Sequence, residues 1–141
     1  MNLTSKIAEQ IQNLWNASNM PALCPGGIIY GLDFSGTSYP FCSLEISLGN
    51  TVLQTSQTSA QDYHLRFKVW GNNKLSDASE IQKGLYETFN SSIVMSLGTG
   101  NRLLSTCIDT SELKEDPDRN QSNFVMVTES RMILTIQQIR P

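Results

Sequence analysis

Few residues in this 141-residue chain have types and spacing that could do chemistry. His64 is the only histidine, and it alternates with Arg66 and Lys68. Period-two spacing puts these three on one face of the strand that carries them. A lone histidine without a second histidine or a nearby cysteine is a poor zinc ligand and a poor half of a catalytic triad. A surface or interface position is therefore expected for it. Asp33, Glu45 and Asp62 lie on or beside strand-like runs and could in principle pair for acid–base work. Nothing in their spacing fixes a separation, and scattered carboxylates ordinarily solvate a surface. Gly98-Thr99-Gly100 lacks the lysine and the helix start of a phosphate loop, so it reads as a turn. Cys24, Cys42 and Cys107 are far apart, odd in number and free of CxxC pairs. That pattern suggests neither a disulfide framework nor a zinc site. Cys42 and Cys107 sit in apolar strand-like runs and are expected as buried free thiols. No catalytic residue, metal or cofactor is expected.

The charge pattern narrows the partners. Net charge is −3, and charged residues make up 16% of the chain, below the usual quarter. Residues 1–70 carry 3 basic and 4 acidic groups, and residues 71–141 carry 7 and 9. No basic face is visible, which argues against tight binding to a nucleic acid backbone. Ser, Thr, Asn and Gln take the place of the missing charges; surfaces covered by neighbours tend to lose Lys, Glu and Asp, so the composition fits an assembling protein and an ordinary weakly charged surface alike. Lys6, Glu9 and the glutamines interrupt any apolar leader, and no stretch is long and apolar enough to span a bilayer. The sequons at Asn2, Asn16, Asn90 and Asn120 read as chance in an Asn- and Ser-rich chain.

Stepping along the chain, residues 3–17 form an amphipathic helix. Leu3, Ile7, Ile11, Leu14 and Trp15 line one side, and Asn19 and Pro21 mark its end. Ile28-Ile29-Tyr30 is a short strand after the Pro25-Gly26-Gly27 turn. A one-sided strand runs from Phe41 to Leu48, with Cys42, Leu44, Ile46 and Leu48 inward. Residues 50–61 are either an extended hairpin arm or a mobile loop joining it to the next strand. That strand, Tyr63 to Trp70, points Tyr63, Leu65, Phe67 and Val69 to the core. Trp15 is core; Trp70 is off the apolar parity and is either core edge or an interface anchor. Asp77 and Glu80 are spaced as a capping box, with Ser76 a competing cap, for a helix that packs Ala78, Ile81, Leu85 and Phe89 on the sheet. A further strand carries Leu104, Thr106 and Ile108 on one parity. Residues 110–122, with Glu112, Glu115, Asp116 and Asp118 and a central Pro117, read as a solvated loop. Phe124, Met126, Met132, Leu134 and Ile136 share parity, as one bent strand with a bulge or as a hairpin centred on Glu129-Ser130. The fold class is α+β: a mostly antiparallel sheet with two helices on one face, in a single domain over residues 1–141 with variable loops at 50–61 and 110–122.

This order, with Tyr39-Pro40-Phe41 opening the second strand, Tyr63 to Trp70 closing on Val-Trp, Asp77-Ala78-Ser79-Glu80-Ile81 opening the second helix and Arg131 to Ile136 closing the chain, resembles the tail-terminator and tail-completion (head–tail joining) proteins of long-tailed bacteriophages. The resemblance covers nearly the full length and rests on an order of elements with a few anchoring residues. It implies a structural, non-enzymatic virion protein, assembled in the host cytoplasm as a ring, commonly a hexamer, of identical copies. Such a ring stops polymerisation of the tail tube or joins tail to head. Its partners are itself, the tail tube protein and a head-completion or connector protein, while DNA passes through the lumen without specific binding and no membrane is involved. Candidate interface or lumen residues are His64, Arg66, Lys68, Trp70, Glu112, Glu115, Asp116 and Asp118. An acidic lumen would repel phosphate and let DNA slide.

Two other classes compete. The opening order is also that of double-stranded RNA binding domains, but the second helix and its approach offer only Lys74 and Lys83 against Asp77, Glu80 and Glu87, too few cations for phosphate contacts. A small α+β enzyme or ligand-binding domain would need convergent polar groups in a pocket, and the sequence nominates none.

Overall fold

The computed structural model describes residues 2–30, 40–71, 75–90, 93–115 and 126–139. Helix α1, Leu3–Asn16, starts where the Asn2 side chain accepts a hydrogen bond from the Ser5 amide at 2.8 Å. Such a cap satisfies one of the orphan amides at a helix start. Ile7, Ile11 and Trp15 are its buried face. Asn19 and Pro21 do not simply end it: a four-residue helix α2, Met20–Leu23, follows with proline in its first turn. Proline fits there because that amide has no helical acceptor to lose.

Strands β1, Ile28–Tyr30, β2, Phe41–Gln54, and β3, Thr58–Gly71, come next. Helix α3, Leu75–Thr88, leads to β4, Asn101–Glu115, and β5, Met126–Ile139. The five strands form one sheet in the order β1-β2-β3-β5-β4. Among the described strands only β1 and β2 pair in parallel; the other three ladders are antiparallel. The expected α+β class and mostly antiparallel sheet are observed.

Alternation decides which side chains enter the core. Cys42, Leu44, Tyr63, Leu65, Phe67, Val69, Met132, Leu134 and Ile136 share one cluster with Ile7, Ile11, Trp15, Ile81, Leu85 and Phe89. Both long helices thus pack on one sheet face. Each large aliphatic side chain buried there is worth about 1.5–3 kcal/mol. Gly84 lets α3 approach α2: a Cβ at this position would come within 2.8 Å of Leu23 Cδ1 and Met20 Sδ.

Several expected boundaries shift. Helix α3 begins at Leu75, so Ser76 and Asp77 lie in its first turn rather than capping it. An acidic residue there still favours the helix dipole. The 50–61 segment is a hairpin arm: β2 and β3 run on to a tip at Thr55-Ser56-Gln57, where the Thr55 hydroxyl accepts from the Thr58 amide at 2.9 Å. Ladder irregularities in this arm lie between Leu48 and Thr51 and between Thr51 and Leu53. Residues 110–115, expected within a loop, are the last part of β4 and pair with β5; residues 116–122, Pro117 included, lie outside the described residues.

The chain from Met126 to Ile139 is one strand, with an unbroken register against β3. The bulge expected in it lies instead on β4, where Leu103 pairs with Ile136 and Ser105 with Thr135. The extra residue is Leu104, which is exposed while Leu103 packs against the core, reversing the expected parity at this point. Cys107 falls on the outer parity and is exposed, not buried as expected; Cys24 and Cys42 are buried.

Candidate functional site

The sheet face away from the helices is built by the polar parity of its strands. From β2 it takes Ser43, Glu45 and Ser47; from β3, His64, Arg66, Lys68 and Trp70; from β5, Glu129 and Arg131. The register places Glu45, Arg66 and Arg131 in one row. Glu129 lies two residues before Arg131 on β5, on the same face and opposite Lys68. Its carboxylate Oε1 sits 3.4 Å from Arg66 Nε and 3.3 Å from Arg131 Nε. Arg66 also reaches Glu45 Oε2 at 3.7 Å. The four side chains form a self-neutralising network. Beside it is a shallow depression of about 200 Å³ lined by Glu45, Ser47, His64, Arg66 and Arg131.

At the β1 end of this face, Trp70 stacks on Phe41 with 6.0 Å between centroids and 13° between planes. The Lys68 ammonium sits 4.8 Å from the indole centroid, a cation–π contact. The indole N–H donates to the Ser43 hydroxyl at 3.4 Å. Phe41 is fully covered although it lies on the face opposite the helices. Trp70 therefore belongs to a second, small aromatic cluster, distinct from the main core.

The expected site residues divide cleanly. His64 and Arg66 are exposed on the open face, and Lys68 and Trp70 are partly covered there. The His64 ring lies against Gly49, in the space that a Cβ at this position would need. Glu112 and Glu115 fall in the far part of β4, and Asp116 and Asp118 lie outside the described residues, as does Asp33. Glu45 and Asp62 do not pair with each other: Glu45 faces Arg66, and Asp62 accepts a hydrogen bond from the Thr135 hydroxyl at 2.7 Å. Sequence reasoning did not nominate Glu129, which it placed at a bulge or hairpin turn, or Arg131, which it placed only as the first residue of the closing strand. The signal was present, because both occupy the odd parity opposite Met132 and Leu134, but their meaning depends on which strand lies beside β5.

The buried thiols are held in the protonated form. Burial pushes Cys24 up to about 12, against a backbone hydrogen bond from Gly27 that lowers it. Burial also pushes Cys42 well above the ordinary thiol range, with nearby Cys24 adding to the effect. Neither is poised as a nucleophile. Among the described residues no group of three His, Cys, Asp or Glu side chains is arranged to hold a metal ion, and no helix is long and apolar enough to cross a membrane.

No family model matches the chain, and no curated protein matches it. Several solved structures match; one of them is similar over 98% of this chain and 94% of its own, at 10% identity and a TM-score of 0.49. A likeness at that level carries no argument about function.

Proposed function

We propose that this protein is a structural component of a phage or prophage tail, forming a ring of identical copies that ends the tail tube or joins it to the head. The observation that supports this reading is the one-sided sheet. Its helices cover one face, and the open face holds its charges against each other in the Glu45, Arg66, Glu129 and Arg131 network. Cations already matched by carboxylates release few counterions on meeting phosphate, so such a face grips DNA weakly. Turned inward, it would line a passage through which DNA slides. The carboxylates of the expected 110–122 loop are not needed for this. Mass photometry of the protein alone and with its tail tube protein tests the proposal. A closed oligomer of one size is the expected result. A protein that stays monomeric with the tube protein present would remove it.

A second reading, a small ligand-binding domain or enzyme, is favoured by the depression beside His64, Arg66 and Arg131. Its volume is below the several hundred Å³ typical of ligand sites. A reproducible thermal shift with a small anionic metabolite, lost in Arg131→Ala, would support it over the ring.

A further inference from the structure

Among the described residues, both margins of the sheet lack a flanking strand at the same height. Four rows cross β2, β3, β5 and β4 without a break: Glu45-Arg66-Arg131-Asp109, Ile46-Leu65-Met132-Ile108, Ser47-His64-Ile133-Cys107 and Leu48-Tyr63-Leu134-Thr106. At one margin, the described pairing of β1 reaches Leu44, and among the described residues no strand flanks Glu45 to Leu48. At the other, no described strand lies beyond β4. Proteins protect exposed edges with lysine, proline or bulges. Neither Glu45-Ile46-Ser47-Leu48 nor Thr106-Cys107-Ile108-Asp109 contains lysine or proline, each carries one acidic residue at one end, and the irregularities of both strands fall outside these stretches. Leu48 is 69% exposed.

We infer that the β2 edge, Glu45 to Leu48, of one copy pairs with the β4 edge, Thr106 to Asp109, of the next, and that this contact builds the ring. The inference rests on the ring reading above and names its surfaces. Three observations carry it. First, β2 and β4 run in opposite directions, so a neighbour placed by simple rotation continues the antiparallel order and keeps its helices on the same side. Second, the free stretches lie in the same rows. A head-to-tail contact between edges at equal height closes on itself, whereas edges at unequal heights give a climbing filament. Third, pairing β4 with β4 through a two-fold axis would leave the β2 edge and Leu48 uncovered. Glu45 and Asp109 share a row, so in unshifted pairing their like charges would meet. The strand tilt of a closed sheet requires a stagger, and a two-residue stagger sets Cys107 opposite Glu45 instead.

Cys107 supplies the test. It is exposed, while Cys24 and Cys42 are buried. Ser47 and Cys107 of one chain lie three strand spacings apart, about 14 Å, beyond the reach of a disulfide. Any disulfide between Cys107 and a thiol placed on β2 must therefore join two copies. Ser47→Cys (unshifted register) and Glu45→Cys (two-residue stagger) are oxidised with diamide, with and without tube protein, in parallel with mass photometry. One of them is expected to give a ladder of covalent species ending at the ring size, and adding Cys107→Ser is expected to abolish it. Leu48→Lys is expected to weaken association at least tenfold with an unchanged melting temperature. An oligomer by mass photometry without a ladder from either variant overturns the edge contact and leaves the ring reading standing. Covalent dimers of the unsubstituted protein through Cys107 alone overturn it in favour of two-fold pairing. A monomer under every condition removes both readings.

Discussion

The phenyl rings of Phe67 and Phe89 lie stacked, 5.0 Å between centroids and 19° apart, and both are fully buried. One ring comes from the central strand and the other from the residue just past α3, so the pair fastens that helix to the sheet. Phe89→Ala is expected to cost about 3–5 kcal/mol, the usual range for removing a buried aromatic ring. Phe89→Leu should cost much less. Denaturant unfolding of both variants checks the contrast.

Gly84 gives a counterintuitive expectation. Alanine in place of glycine within a helix normally gains about 1 kcal/mol. Here the added methyl meets Leu23 and Met20, and overpacking costs about 1–3 kcal/mol. Gly84→Ala should therefore lower the melting temperature, and Gly84→Val should lower it further. Adding Leu23→Ala to Gly84→Ala should recover part of the loss specific to the clash, seen as a coupling in a double-mutant cycle.

Glu129 should matter more than its surface location suggests. Its carboxylate bridges two guanidinium groups and is itself only 14% exposed. Glu129→Ala is expected to cost about 1 kcal/mol, the upper end for a surface pair, and the cost should shrink in 1 M salt. The Lys83–Glu87 pair on α3, with both side chains largely exposed, should give only a few tenths in the same comparison.

Ser130 is wholly buried on the core parity, and its hydroxyl has no hydrogen-bond partner among the described residues. A buried hydroxyl left unpaired keeps its desolvation penalty. Ser130→Ala should raise stability by about 1 kcal/mol, a shift of a few degrees in melting temperature for a chain of this size.

Thiol reactivity should separate the cysteines. At pH 8, iodoacetamide should label Cys107 in the native protein and reach Cys24 and Cys42 only on unfolding. The folded state holds the Cys24 proton up to about 12, whereas an unfolded thiol loses it near 8.5. This contribution to stability is complete below about pH 8.5 and is lost as pH rises toward the folded value. The denaturation midpoint should fall between about pH 9 and 11, with a shallower slope in Cys24→Ala.

The strands and the two long helices were legible because alternation and helical spacing mark the core directly. Val69, Phe67, Leu65 and Tyr63 needed no more than their period. The hairpin arm was legible only as one of two options, since its threonines and glutamines suit strand and loop alike. The Leu104 bulge was not legible, because one extra residue changes parity without changing composition. Nor was the Glu45, Arg66, Glu129 and Arg131 network. It exists only because β5 inserts between β3 and β4, and no local pattern encodes that insertion. Phe41 reads as a core residue by type, yet it lies on the opposite face with Trp70.

That insertion also sets a timetable. Strand β5 is last in the sequence, yet it supplies a neighbour to both β3 and β4. Until residues 126–139 have left the ribosome, β3 lacks one of its two described partners and β4 its one described partner. Pairings across such sequence distances form slowly. A nascent chain would therefore hold the β2–β3 hairpin and its helices as a waiting intermediate, with an apolar strand margin uncovered and prone to wrong company. Any copy interrupted before that last strand would present a β2 margin with no ordered β4 margin to match it.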